Sequence, residues 1–189
     1  MSRFSSLKIL FAHTNADTAE ESNQNKHDTS LSRLGKEVAK DMHMDPSKVE
    51  VVYDRNVTAA GVGKDGEVHV NPDVAARLTK QELKIMLAHE LQHTRQPASM
   101  GPAEAERDAD LAAARTYGPQ AAVSYFQKLK IMFGPGGDAG GRMGDEHESI
   151  KDRQQAIVDA FPGKAKMPTV KITVKHQYSS SKVSSHPSM

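Results

Sequence analysis

LTKQELKIMLAHELQH, residues 78–93, decides how the rest of this chain is read. Thr79 and Glu82 stand three apart, the spacing at which a hydroxyl and a carboxylate cap each other's backbone N–H groups, and Leu78 and Leu83 flank them as a hydrophobic staple. A helix therefore starts at Thr79. Its apolar residues Leu83, Met86, Leu87 and Leu91 recur at helical spacing, and Pro97 ends it after about Gln96. Near its end stand His89-Glu90-Leu91-Gln92-His93. Residues four apart project from one face of a helix, so two imidazoles can share one metal ion with a glutamate beside them.

Hydrolytic zinc takes three protein ligands and keeps a fourth position for water, so a two-histidine site calls for one more anionic ligand. Glu106-Arg107-Asp108-Ala109-Asp110 follows on the next predicted helix, after a turn containing Pro and Gly. Glu106 is the candidate third ligand. Asp110, one turn further along the same face, can accept the second ring N–H of a ligand histidine and fix its tautomer. Glu104 with Asp108 is the competing register, read as solvated acids. Glu90 is placed to take a proton from water.

Upstream, Leu31, Leu34, Val38 and Met42 predict an amphipathic helix that stops before Pro46, with Lys36, Glu37 and Lys40 facing water. Val49–Tyr53, the weaker Val57–Val62 and Glu67–Val70 predict a small sheet, closed by the turn residues Asn71 and Pro72. Downstream, Pro102 opens a helix to about Tyr117, and further helices cover Gln120 to about Lys130 and Glu148 to Ala160. Six glycines between Gly134 and Gly144 predict a loop, without the Gly-Lys-Ser/Thr ending of a phosphate-binding loop.

The expected organisation is a flexible segment over 1–30, a catalytic domain over 31–163 and a tail over 164–189, with a strand near Val170–Val174 and another near Leu7–Phe11. Lys and Arg number 25 against 24 Asp and Glu, so the net charge of +1 gives no field for a nucleic acid, which is not an expected partner. No stretch reaches the roughly 20 apolar residues of a membrane span, and Leu7–Ala12 is shorter than a signal-peptide core. A soluble protein is expected, cytoplasmic or exported without a classical signal. The chain has no cysteine, so any metal sits on His, Asp or Glu. His13, His27, His43, His176 and His186 read as isolated, and His69 stands on a predicted strand without a nameable partner.

Over roughly residues 31–160 the sequence resembles the gluzincin metallopeptidases, within them the family of the CAAX prenyl protease and the heat-shock protease HtpX. The resemblance is carried by Leu78–Leu91, by Glu106, Ala109 and Asp110, by the edge-like Val57-Thr58-Ala59-Ala60-Gly61, and by His147-Glu148-Ser149 with Arg153. It implies an α+β, zincin-like domain, a small sheet packed on helices with the zinc motif on a central helix. It further implies one Zn2+ per chain held by His89, His93 and Glu106, with Asp110 behind them, Glu90 as base, His147 as a donor to the oxyanion, and substrate contacts at Thr58 and Ala59. Thr58 stands where the family has asparagine, Glu148 where it has proline, and the family's membrane helices have no counterpart. A weaker resemblance is to the short soluble metallopeptidase domains beside bacterial DNA-binding regulators. The expected activity is hydrolysis of peptide bonds in a protein or peptide substrate. A secreted effector or toxin using that chemistry, and a scaffold that holds zinc without catalysis, are the alternatives.

Overall fold

The computed structural model describes residues 29–134 and 148–169. Helix α1 (Thr29–Asp41) is followed by a single 3-10 turn at Pro46–Lys48, then by strands β1 (Val51–Tyr53), β2 (Ala60–Val62) and β3 (Val68–Val70). Four further long helices, α3 (Lys80–His93), α4 (Pro102–Tyr117), α5 (Pro119–Phe133) and α6 (Ile150–Ala160), come after the one-turn α2 (Pro72–Ala75). The sheet has the order β1-β3-β2, with β1 parallel and β2 antiparallel to β3. This is an α+β arrangement, as expected. The Leu7–Phe11 and Val170–Val174 strand expectations, and His147, lie outside the described residues.

Alternation along the strands sorts the side chains. Val51, Val68 and Val70 are buried in the core formed with the helices, whereas His69 and its register partner Val52 lie on the other face. Helix α1 lays Leu31, Leu34, Val38 and Met42 on that core. It comes so close to the sheet that a Cβ on Gly35 would stand 2.2 Å from Val51 Cγ2. Only glycine permits that approach. Glu37 is drawn to α3, where it accepts from Lys84, so it is not the freely solvated charge its helical position predicts.

Helix α3 lies at the centre. Ile85, Met86, Leu87, Ala88 and Leu91 are all buried, because α1, α4, α5 and the sheet surround it. The capping box forms as its sequence dictates: Thr79 N–H donates to Glu82 Oε2 at 2.7 Å and Glu82 N–H to Thr79 Oγ1 at 3.3 Å. The helix ends at His93, three residues before the predicted Gln96. Thr94, Arg95 and Gln96 continue as tight turns with i→i+3 bonds, and the Thr94 hydroxyl donates to the Leu91 carbonyl at 2.7 Å.

The buried alanines of α4 (Ala109, Ala112, Ala113 and Ala114) let it pack tightly on α3. At Gly118 a φ of 99° turns the chain from α4 into α5, a conformation that favours glycine. Asn71 and Pro72, read as a turn, start α2 instead, with the Asn71 side chain accepting from Asp73 N–H at 2.9 Å. Helix α6 starts later than expected, at Ile150, because Ser149 caps it by accepting from Asp152 N–H. Gln154 ties it to α5 by donating to the Val123 carbonyl at 2.9 Å.

Candidate metal centre

The last turn of α3 and the first turns of α4 bring five sequence-selected side chains together. His89 Nε2 and His93 Nε2 are 3.1 Å apart. Glu106 reaches both from α4, Oε2 at 3.4 Å from His89 Nε2 and Oε1 at 3.4 Å from His93 Nε2. Tetrahedral ligands at zinc distances lie about 3.3 Å from one another. The three donors therefore already stand at the separations of such a site.

Behind His89, Asp110 is buried with Oδ1 at 2.9 Å from His89 Nδ1, off the line of a well-aligned hydrogen bond. Arg153, from α6, clamps Asp110 with two bonds, Nε to Oδ2 at 2.7 Å and a terminal nitrogen to Oδ1 at 2.6 Å. That terminal nitrogen also lies 3.3 Å from Glu106 Oε2, and the guanidinium stacks 4.5 Å above the Phe126 ring. Three helices thus converge on one carboxylate. Behind His93, Gln96 takes the matching place: its Oε1 is 2.8 Å from His93 Nδ1, while its amide donates to the Ala105 carbonyl at 2.6 Å and to Asp108 at 3.1 Å. Asp108 also accepts from Gln92 at 2.7 Å, so it joins α3 to α4, contrary to the solvated reading. Glu104 is exposed.

The electrostatics describe a site short of positive charge. Burial opposes the charged form of His89, yet Asp110 and Glu106 outweigh it and pull the imidazole pKa up to about 10. For Asp110 burial works upward, but the Arg153 guanidinium and His89 dominate and hold the carboxyl below its ordinary range. Burial raises Glu90, the charges of His89 and His93 only partly offsetting it. A divalent cation among the Nε2 atoms and Glu106 would replace that imidazole proton, and the donor set suits zinc: two nitrogens, one carboxylate and no fourth protein ligand among the described residues.

A cavity of about 310 Å³ opens over these groups. His89, Glu90, His93 and Glu106 line it together with Ala59, the β2 residues Ala60–Val62, and Tyr125, Phe126 and Leu129 of α5. Ala59 lines this cavity, and Thr58 is exposed and outside the lining. Sequence reading missed the α5 wall. Its Tyr125 and Phe126 recur as ordinary core positions of an amphipathic helix, and no residue type there signals a site. It named Arg153 only by resemblance, because the Asp110 partner is 43 residues away in the chain.

Taken together, two imidazoles, one carboxylate and a half-buried glutamate facing a cavity are the parts a hydrolytic zinc enzyme uses. The sequence model of peptidase family M48 matches residues 25–100, from before α1 to past the second histidine, and supports a zinc-dependent metallopeptidase. That match stops short of Glu106, Asp110 and Arg153. No curated protein and no solved structure matches the chain. Among the described residues no helix is long and apolar enough to cross a membrane.

Proposed function

We propose that the chain is a zinc-dependent endopeptidase of the gluzincin type, with residues 31–163 as its catalytic domain, cutting peptide bonds in protein or peptide substrates. The observation that carries this reading is the 3.1–3.4 Å triangle of His89 Nε2, His93 Nε2 and Glu106 beside the half-buried Glu90. His89, His93 and Glu106 hold the ion, one per such site. Bound there, zinc supplies Lewis-acid polarisation and an acidified water.

The protein's own groups do the rest. Glu90, raised by burial, accepts a proton from the attacking water and returns it to the leaving amine. Asp110 fixes the His89 tautomer, and Arg153 fixes Asp110. The cavity lining at Ala59 and β2 offers backbone to an extended substrate, while Thr58, in the position of the family's asparagine, lies at its margin. His147 enters as the oxyanion donor from its place in the sequence resemblance. A secreted effector or toxin would use the same chemistry, and the substrate decides between these settings. A scaffold role is disfavoured by Glu90, since a structural zinc site needs no base beside it.

The test is zinc content together with cleavage of an unfolded protein such as casein. Glu90→Gln is expected to keep its zinc and to lose about 10²- to 10⁴-fold in rate, the usual weight of a general base. Retained hydrolysis in Glu90→Gln overturns the mechanism.

A further inference from the structure

Tyr125 of α5 is only 5% exposed, yet its hydroxyl has no hydrogen-bond partner among the described residues. Buried phenols ordinarily find one, because an O–H held away from water and left unpaired is destabilising. The one fully enclosed and unpartnered side-chain polar atom among those residues is His89 Nδ1, so the Tyr125 oxygen keeps a face on the cavity that its side chain lines. Packing holds the ring, with the Phe126 centroid 5.3 Å away. The phenol also stays a donor: burial first, and then the Glu90 charge, push its pKa well above the ordinary 10.

Which part of a substrate meets that hydroxyl follows from the peptidase reading, on which this inference rests. As Glu90 takes one proton of the attacking water, the water oxygen bonds to the scissile carbonyl carbon and the carbonyl π pair moves onto its oxygen. That pair then re-forms the carbonyl, the C–N bond breaks, and the nitrogen leaves with the proton Glu90 held, giving an acid and an amine. The leaving nitrogen is thus within hydrogen-bond reach of Glu90, and the side chain on the carbon next to it lies in the cavity beside Glu90. Met86, one turn before Glu90 on the same face of α3, and Tyr125, with Leu129 one turn further along α5, line the cavity there.

A purely apolar side chain seated in that place would strip water from the Tyr125 oxygen and supply no acceptor. A carboxylate would be brought up to the Glu90 charge, and a cation would meet the Tyr125 donor and the Arg153 guanidinium, which also lines the cavity. We propose that Tyr125 sets a preference for a side chain with an apolar stem and a neutral acceptor at its end, glutamine foremost, on the amine side of the bond that is cut. The stem packs on Met86 and Leu129, and the amide carbonyl accepts from the Tyr125 hydroxyl. Such a preference is read as a ratio between two substrates, from which fold and zinc loading cancel.

The test is mass-spectrometric mapping of the cuts that the zinc-loaded full-length chain makes in unfolded casein and in a mixed peptide library, for wild type and Tyr125→Phe. Wild type is expected to favour cuts before glutamine over cuts before leucine, and Tyr125→Phe to lower that ratio by about 10-fold, the weight of one hydrogen bond to a buried group. Urea melts of the two chains are expected to give Tyr125→Phe an unchanged or higher midpoint, because the lost hydroxyl bonds no group of the fold. Wild-type cuts without preference for glutamine, the same ratio in both chains, a lower midpoint in Tyr125→Phe, or a Tyr125→Phe chain that cuts nothing each overturn the proposal while leaving the peptidase reading in place. A zinc-loaded wild type that cuts no member of the library overturns both.

Discussion

Two clusters in this molecule share one plan. In each, a carboxylate sits on Nδ1 of a histidine, Asp110 on His89 at 2.9 Å and Asp54 on His69 at 3.1 Å, and Nε2 faces further carboxylates. Their settings differ. The first lies between α3, α4 and α6 and lines a cavity, with the half-buried Glu90 next to it; the second lies on a three-residue strand and its turn, with Asp65 exposed and Glu67 half-buried. What separates them is the setting of the pair: His89 and Asp110 are buried, whereas His69 and Asp54 stay partly in water. Low polarity lifts Glu90 toward the range of a working base, whereas water around the hairpin screens its charges.

The comparison breaks most severely at Glu106. Glu106→Ala is expected to lower zinc affinity by more than the roughly 100-fold that losing an outer partner costs, and Glu104→Ala to leave it unchanged, as read by competition with a chromophoric chelator. The opposite ranking would put the wrong acid in the triangle.

Next in size is Asp110→Asn, expected to weaken zinc binding or hydrolysis by about 10- to 100-fold. An amide can neither balance Arg153 nor accept the Nδ1 proton as strongly. Affinity and rate equal to wild type would reduce Asp110 to a structural clamp.

The shared scaffold can be tested apart from either cluster. In an ordinary helix Gly→Ala stabilises by up to about 1 kcal/mol, but at Gly35 the new methyl meets Val51, and overpacking of this kind costs about 1–3 kcal/mol. Net destabilisation in urea melts is expected, with zinc binding retained. A Gly35→Ala chain more stable than wild type would mean that α1 and β1 are farther apart than 2.2 Å from methyl to methyl implies.

The smallest effect is the acid limb of stability. Burial of Glu82 works upward, but Lys128 and the Thr79 cap win and hold its carboxyl below the ordinary 4.5. As the pH falls the unfolded chain therefore takes up its proton first, so the stabilisation is complete above about 4.5 and is lost as pH drops through the lower folded value. Glu82→Gln is expected to be less stable at neutral pH and to show a shallower loss in acid. Parallel pH curves for the two proteins would remove Glu82 from the account.

The sequence by itself determined the parts that depend on neighbours along the chain. The Thr79–Glu82 cap, the His89–His93 spacing and the Glu106–Asp110 spacing are local, and helix geometry turns each into a defined face, which is why the triangle could be named before the fold was described. Helix ends were read less well, since Gln96 leaves the helix to hold His93 Nδ1 and the Ala105 carbonyl, contacts that exist only once α4 is packed. Only the tertiary structure decided that Arg153 seals Asp110 from 43 residues away, that α5 walls the cavity, and that Asp54 meets His69 across two strands. Those pairings follow from parallel strand register and helix packing, which fix long-range neighbours and leave no period in the sequence.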